Sequence, residues 1–221
     1  MKRCYLVRHA QSVWNVDNRI QGHSDLPLSP LGEQQAQLVG AWFAARHVRS
    51  VITSALRRSR QTAQAIVADR GPHVGPRVEA ELAEIHLGSW EGLTPAELDA
   101  KFPGAYRQWT TAPSRVTIPG AEPLENFRRR VRGAFARVTE RFEEGEHVVV
   151  THGGVIASVL ADVLGAEFDA TLRRLRLDNT GVTALELGAA HPAVLWINAT
   201  THLASLGLDP VPLRQPGWAS A

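Results

Sequence analysis

The sequence predicts an α/β fold of three layers (α/β/α), with a mostly parallel central sheet, helices on both of its faces and a small cap insertion. Three observations predict it. Short apolar runs, Tyr5-Leu6-Val7, Val51-Ile52 and His147-Val148-Val149-Val150, have the length and composition of strands buried on both sides. Segments of helical periodicity separate them, the alternation that builds parallel sheets. Each run also stops abruptly at polar residues, Arg8-His9, Thr53-Ser54 and Thr151-His152. In open α/β sheets such strand ends are where ligands collect.

Taken in order, the first strand is residues 5–7. Ser29-Pro30-Leu31-Gly32-Glu33 has the form of a helix start, with Ser29 as N-cap, Pro30 at the first helical position and Glu33 in the first turn. Leu31, Leu38, Val39, Trp42 and Phe43 then recur on one helical face. The second strand, 51–52, leads through Thr53-Ser54 into a helix carrying Thr62, Ala65, Ile66 and Ala68. Residues 78–122 behave differently. Trp90, Trp109, Pro95, Pro103, Pro113 and Pro119 stand among short helical pieces such as 95–101, so the stretch reads as a cap lying over the sheet. A long helix follows over 124–143, with Phe127, Val131, Phe135, Val138 and Phe142 at helical spacing. The third strand, 147–150, precedes a helix over 155–164, and strands over 182–187 and 194–197 close the sheet around a turn near Gly188 and Pro192. No internal repeat or low-complexity tract interrupts this order. The chain therefore reads as one domain over 1–221, with the cap at 78–122 and an extended tail at 208–221 holding Pro210, Pro212 and Pro216.

Bulk composition narrows the function classes. A chain of 221 residues can bury a sizeable core, and 44% hydrophobic with 21% charged residues is ordinary for a globular protein. The formal charge is only +2, and Lys2 and Lys101 are the only lysines among 24 basic residues. Such an arginine-dominated chain suits a local anion site better than a long nucleic-acid track. Cys4 is the single cysteine, which excludes an intrachain disulfide and a cysteine-based zinc site. The N-terminal apolar run breaks at Arg8, too early for a signal peptide, and no stretch reaches the length of a membrane span. The expectation is a cytoplasmic protein with no membrane partner.

Three strand ends bring two imidazoles, His9 and His152, and at least two guanidiniums, Arg8 and one of Arg57-Arg58, to one edge of the sheet. Glycines 153 and 154 follow His152 at a helix N-terminus, whose backbone N–H groups suit an anion. This chemistry fits a phosphoryl group. Forked guanidiniums match its oxygens, and a neutral imidazole can attack phosphorus to give a phosphohistidine. Fixed cations then stabilise the equatorial oxygens without a metal ion. A carboxylic acid must protonate the leaving oxygen, and Glu84, within LAEIHLGSWEG, is placed to reach over the site from the cap.

LVRHAQSVWN, RIQGHSDLPLSPLG, TSALRRSRQTA, LAEIHLGSWEG and VVTHGGVI stand in an order and spacing that resemble the histidine phosphatase superfamily, which contains phosphoglycerate mutases and many phosphatases. The resemblance runs from residue 6 to about 187. It implies that His9 is the nucleophile, that Arg8 and Arg58 clamp the phosphoryl group, that Glu84 is the proton donor and that His152 contacts the phosphoryl oxygens. It also places Asn15, Gln21, Gly22 and Gly153 at the phosphate pocket or its rim. Two departures stand out. The first motif reads Arg-His-Ala rather than Arg-His-Gly, and Ala121-Glu122-Pro123 replaces a common Gly-Glu-Ser, so no binding role is carried to that segment and Glu122 stays a possible second carboxylate. Glu84-Ile85-His86-Leu87-Gly88 resembles the phosphatase branch rather than the Glu-Arg-His-Tyr-Gly of the mutases.

The resulting expectation is a phosphomonoesterase without metal or cofactor, acting on a small phosphorylated metabolite. A cofactor-dependent phosphoglycerate mutase and a non-catalytic phospho-ligand module on the same fold are the alternatives. Trp90 and Trp109 are expected to pack the cap, and His23 and His86 to lie either in the pocket or in loops. The run Arg128-Arg129-Arg130-Val131-Arg132 could suggest nucleic acid, but Phe127, Val131 and Phe135 fix the buried face of that helix. Those arginines are expected to form a solvated face balanced by Glu122, Glu125 and Glu140.

Overall fold

The computed structural model describes residues 1–68, 75–188 and 191–207. The expected tail, and the middle of the turn before Pro192, lie outside the described residues. Six strands form one sheet in the order β3-β2-β4-β1-β5-β6: β1 (Lys2–Arg8), β2 (Val48–Thr53), β3 (Arg77–Val78), β4 (Gly145–Thr151), β5 (Val182–Leu187) and β6 (Pro192–Ala199). The four strands from β3 to β1 run parallel, while β5 is antiparallel to both β1 and β6. The helices are α1 (Val13–Val16), α2 (Pro30–Ala44), α3 (Arg57–Val67), α4 (Pro95–Lys101), α5 (Ala105–Thr111), α6 (Leu124–Glu140), α7 (Gly153–Val163) and α8 (Phe168–Arg174).

Alternation along the strands divides the core into two layers, because successive side chains of a strand face opposite ways. Tyr5, Val7, Val51, Val148 and Val150 pack with Val39, Phe43, Ala63, Ile66 and Val67 of α2 and α3. Cys4, Leu6, Ile52, Val149 and Leu185 face α6 and α7 on the other side. The helix starts follow their caps. Ser29 Oγ accepts the Gly32 N–H at 3.0 Å to open α2, and Thr94 with Glu97 forms a capping box at α4.

The cap differs from a detached insertion. Leu82, Ile85, Leu87, Trp90, Leu98, Trp109 and Ile118 belong to the same apolar cluster as Leu6, Val149 and the buried face of α6. Val78, assigned to the cap by sequence, lies in β3 and extends the sheet, where it pairs with Thr53. Trp90 and Trp109 pack edge to face with centroids 5.7 Å apart, as expected of packing residues. Of the arginine run, Arg130 pairs with Glu122 as expected, whereas the other partners differ from those expected. Arg128 and Arg132 both bind Asp162 of α7, and Arg130 turns inward to the cap. None of the described helices is long and apolar enough to cross a membrane.

Helices α2 and α3 meet closely at Gly40. A Cβ there would fall 2.5 Å from the Ala65 carbonyl oxygen, a backbone atom that cannot move aside. Gly40→Ala should therefore destabilise the fold by about 1–2 kcal/mol net, the overpacking outweighing the helix propensity gained. Urea unfolding measures this, and unchanged or increased stability would contradict the packing described.

Candidate active site

The ends of β1, β2 and β4 lie level. Arg8 is in register with Thr151 and Thr53 with Val150, the His9 N–H donates to Thr151 O at 2.8 Å, and the Ser54 N–H donates to Val150 O at 3.1 Å. Parallel pairing thus carries three consecutive polar strand ends to one edge. His9, His152, Arg8 and Arg58 are all buried there, at 2%, 0%, 3% and 1% exposure. Charged residues are seldom buried so fully, and here the protein supplies backbone oxygens in place of water.

Arg58 Nη1 donates to Ser24 O and Nη2 to Gly22 O, each at 2.8 Å. Gly22 takes φ of +49°, which glycine adopts without steric cost, and so presents that carbonyl. Arg8 Nη1 donates to Leu177 O. Burial, countered by Glu84 and reinforced by Arg8, lowers the Arg58 pKa to about 10, so the group stays charged at neutral pH.

His9 Nδ1 lies 2.7 Å from Ala10 O. A carbonyl can only accept, so Nδ1 carries the proton and Nε2 keeps its lone pair. The backbone around His9 is itself fixed. Ala10 N donates to Thr62 Oγ1 at 3.0 Å and Asn179 Nδ2 to His9 O at 2.9 Å. His152 lies beside it, ring centroids 5.2 Å apart, with Nε2 at 2.7 Å from Ser54 Oγ. Burial first, then the charges of Arg58 and Arg8, hold His9 well below the ordinary value of about 6.5. Burial and the same arginines, with His9, do so for His152.

Glu84 enters from the cap. Its Oε2 accepts the Gly154 N–H at 3.0 Å, in the first turn of α7, and its Oε1 accepts its neighbour Ile85 N–H at 2.9 Å. Gly154 permits that approach, since a Cβ on it would collide with the Glu84 carboxyl oxygen. Asn15 closes the capping box of α1, its Oδ1 accepting the Ser12 N–H at 2.9 Å. Gln21 is buried with its Oε1 bonded to Ser12 Oγ at 2.8 Å, and Gly153 opens α7. Among the described residues, Gln21 Nε2, Arg58 Nε and His152 Nδ1 are buried without a hydrogen-bond partner.

His9, Gln21, Gly22, Arg58 and Glu84 line one narrow space of about 30 Å³, walled by Ile20, Ile85, Leu87, Trp90, Tyr106 and Trp109. A larger cleft of about 740 Å³ shares only Ile85 and Trp109 with it and reaches none of the histidines or strand-end arginines. Among the described residues no three His, Cys, Asp or Glu side chains are grouped to hold a metal ion. Sequence reasoning missed Ser54, Thr62, Asn179 and Arg130. Ser54 stands within the motif that yielded Arg58, so its signal was present; Asn179 has no local pattern that marks it.

A family model, histidine phosphatase superfamily (branch 1), matches residues 4–200. The chain belongs to the histidine phosphatase superfamily. Among relatives, a wheat (Triticum aestivum) 2-carboxy-D-arabinitol-1-phosphatase is 37% identical over 84% of this chain, which spans only 37% of that protein's length. A Salmonella choleraesuis protein named as a probable phosphoglycerate mutase, GpmB, is 32% identical over 84% of this chain and 85% of its own. Among solved structures, a mycobacterial glucosyl-3-phosphoglycerate phosphatase in complex with VO3 is 31% identical, with a TM-score of 0.81 over 90% of this chain and all of that one.

Two predictions follow from the geometry. Gly154→Ala should fold normally, because the displaced atom is the end of a flexible side chain, yet lose roughly tenfold or more of its turnover as Glu84 shifts. Steady-state rates beside a melting curve decide it, and full activity would show that Glu84 need not sit where it does. The second concerns pH. His9 and His152 are neutral when folded and take up protons on unfolding below about pH 6.5, so stability is present above that pH and falls below it. Each contributes a slope of about 1.4 kcal/mol per pH unit. Urea unfolding between pH 7 and pH 5 should show the fall; a flat profile contradicts two neutral buried imidazoles.

Proposed function

We propose that this chain hydrolyses small phosphomonoesters in two steps through a phosphohistidine on His9. The observation that carries the reading is the fixed tautomer of His9, with its Nε2 lone pair free and two buried guanidiniums beside it. In the first step His9 Nε2 bonds to phosphorus as the ester P–O bond breaks. Arg8, Arg58 and His152 hold the phosphoryl oxygens, and Asn15, Gln21, Gly22 and the Gly153 turn complete the pocket. The Glu84 carboxylic acid gives its proton to the leaving alkoxide. In the second step the Glu84 carboxylate takes a proton from water, the oxygen attacks phosphorus, and the N–P bond breaks to release phosphate. The positive charge this chemistry needs is supplied by arginine, so no metal takes part.

The wall facing His9 beyond the phosphoryl position is apolar and aromatic, with Tyr106 Oη the buried polar atom within it. The space there is narrow, about 30 Å³, so the cap side chains around it set the shape of the group carried by the phosphate. A cytoplasmic location suits a chain whose single cysteine, Cys4, is a buried free thiol. The mutase-named relative favours one second reading, transfer within a phosphoglycerate rather than to water.

The test is phosphate release from a panel of phosphomonoesters including 3-phosphoglycerate, with EDTA present throughout. Release that survives EDTA, and that falls about a thousandfold or more in His9→Ala, is expected. Formation of 2-phosphoglycerate without phosphate release would replace hydrolase by mutase, and activity in His9→Ala would remove His9 as nucleophile.

A further inference from the structure

We propose that Arg130, on α6 and outside the catalytic pocket, is a positioning residue for the acid Glu84, an inference that rests on the role given to Glu84 above. Its guanidinium has five N–H donors in a rigid fork, and all five are used. Nη1 donates to Glu81 O and to Ala83 O, each at 2.7 Å. Nη2 donates to Glu84 O at 2.8 Å and to Glu122 Oε1, and Nε donates to Glu122 Oε2 at 3.0 Å. Glu122 Oε1 in turn accepts the His86 N–H at 2.9 Å. One side chain and its carboxylate partner therefore bond the backbone at 81, 83, 84 and 86, on both sides of the acid.

Two packed helices, α6 and α7, bracket the arrangement. The carboxylate of Glu84 bonds the first turn of α7, and α7 packs on α6. Arg130 is anchored on the same helix pair, close to the Phe127 ring at 4.9 Å, and Phe127 is fully buried. Glu84 lies in a segment without regular secondary structure, so neither helix nor strand bonds hold its backbone; Arg130, with His23 Nε2 at 2.7 Å from Glu84 O, takes their place. A lysine offers three donors and no fork, so it cannot make this set of bonds.

The consequence for proton donation shows in the first step, which kcat/KM reports; the second step, where Glu84 acts as base, is common to all substrates and enters kcat. An alkyl phosphate needs a proton on its leaving oxygen, whereas p-nitrophenyl phosphate departs without one. Arg130→Met should lower kcat/KM on 2-phenylethyl phosphate by about tenfold or more while changing kcat/KM on p-nitrophenyl phosphate by less than about threefold. In a Glu84→Gln background the same change should cost less than about threefold further on either substrate, since both act through one group. Arg130→Lys and Glu122→Gln should show the same leaving-group signature in weaker form, and they serve where Arg130→Met folds poorly. Equal losses on both substrates, or an additive loss in the Glu84→Gln background, would overturn the assignment and leave Arg130 a packing residue. If Glu84→Gln itself lacks the signature, the acid is wrongly identified and the role of Arg130 falls with it; a signature in Glu84→Gln but none in the Arg130 and Glu122 variants rejects Arg130 alone.

Discussion

Two guanidiniums buried at one edge of a parallel sheet are the constraint on which the rest of this structure depends. Each loses its water on folding, and like charges in a low-dielectric interior repel. The chain offsets this cost with backbone oxygens at Ser24, Gly22 and Leu177, drawn from two separate loops. Those loops take their conformations from the need to present carbonyls, as the left-handed Gly22 illustrates. Glu84 is the nearby counter-charge, and it raises the pKa of both arginines against burial. The site is thus built to be completed by an anion, and burial, reinforced by the same field, keeps both imidazoles neutral.

Neutrality matters because a protonated histidine is no nucleophile. Ala10 O selects the tautomer, Thr62 and Asn179 fix the turn that carries Ala10 and His9, and burial, then Arg58, depresses the pKa. Thr62 Oγ1 also donates to Arg58 O at 2.8 Å, so one hydroxyl on α3 links the nucleophile to its clamp. Opposite this rigid floor stands the cap, whose acid is held by single bonds from several elements. Because the cap shares its apolar cluster with α6 and α7, the acid and the nucleophile ride on one packed body.

How much of this was legible in the sequence depended on locality. Strand cores and helix starts were, because Val148-Val149-Val150 can only be buried and Ser29-Pro30 caps its own helix. His9, Arg58, Glu84 and His152 were legible as motifs, while their neighbours Arg57 and Arg60 are exposed. The short α8 and the edge strand β3 were not, since each is held by tertiary contact rather than by its own pattern. Arg130 was concealed for the same reason. In a run of four arginines, helical periodicity separates the buried face from the rest but cannot show that one of the others meets three carbonyls 46 to 49 residues earlier in the chain.

The central claim is the covalent intermediate, and trapping it is the most direct measurement. Glu84→Gln enzyme mixed with p-nitrophenyl phosphate should form the N–P bond without needing the acid, then wait for water that no carboxylate activates. The account predicts a burst of one nitrophenol per active site, with an alkali-stable, acid-labile phosphoryl group on the peptide containing His9. Turnover with no phosphorylated enzyme, or a phosphoryl group on His152 or any other residue, would contradict it.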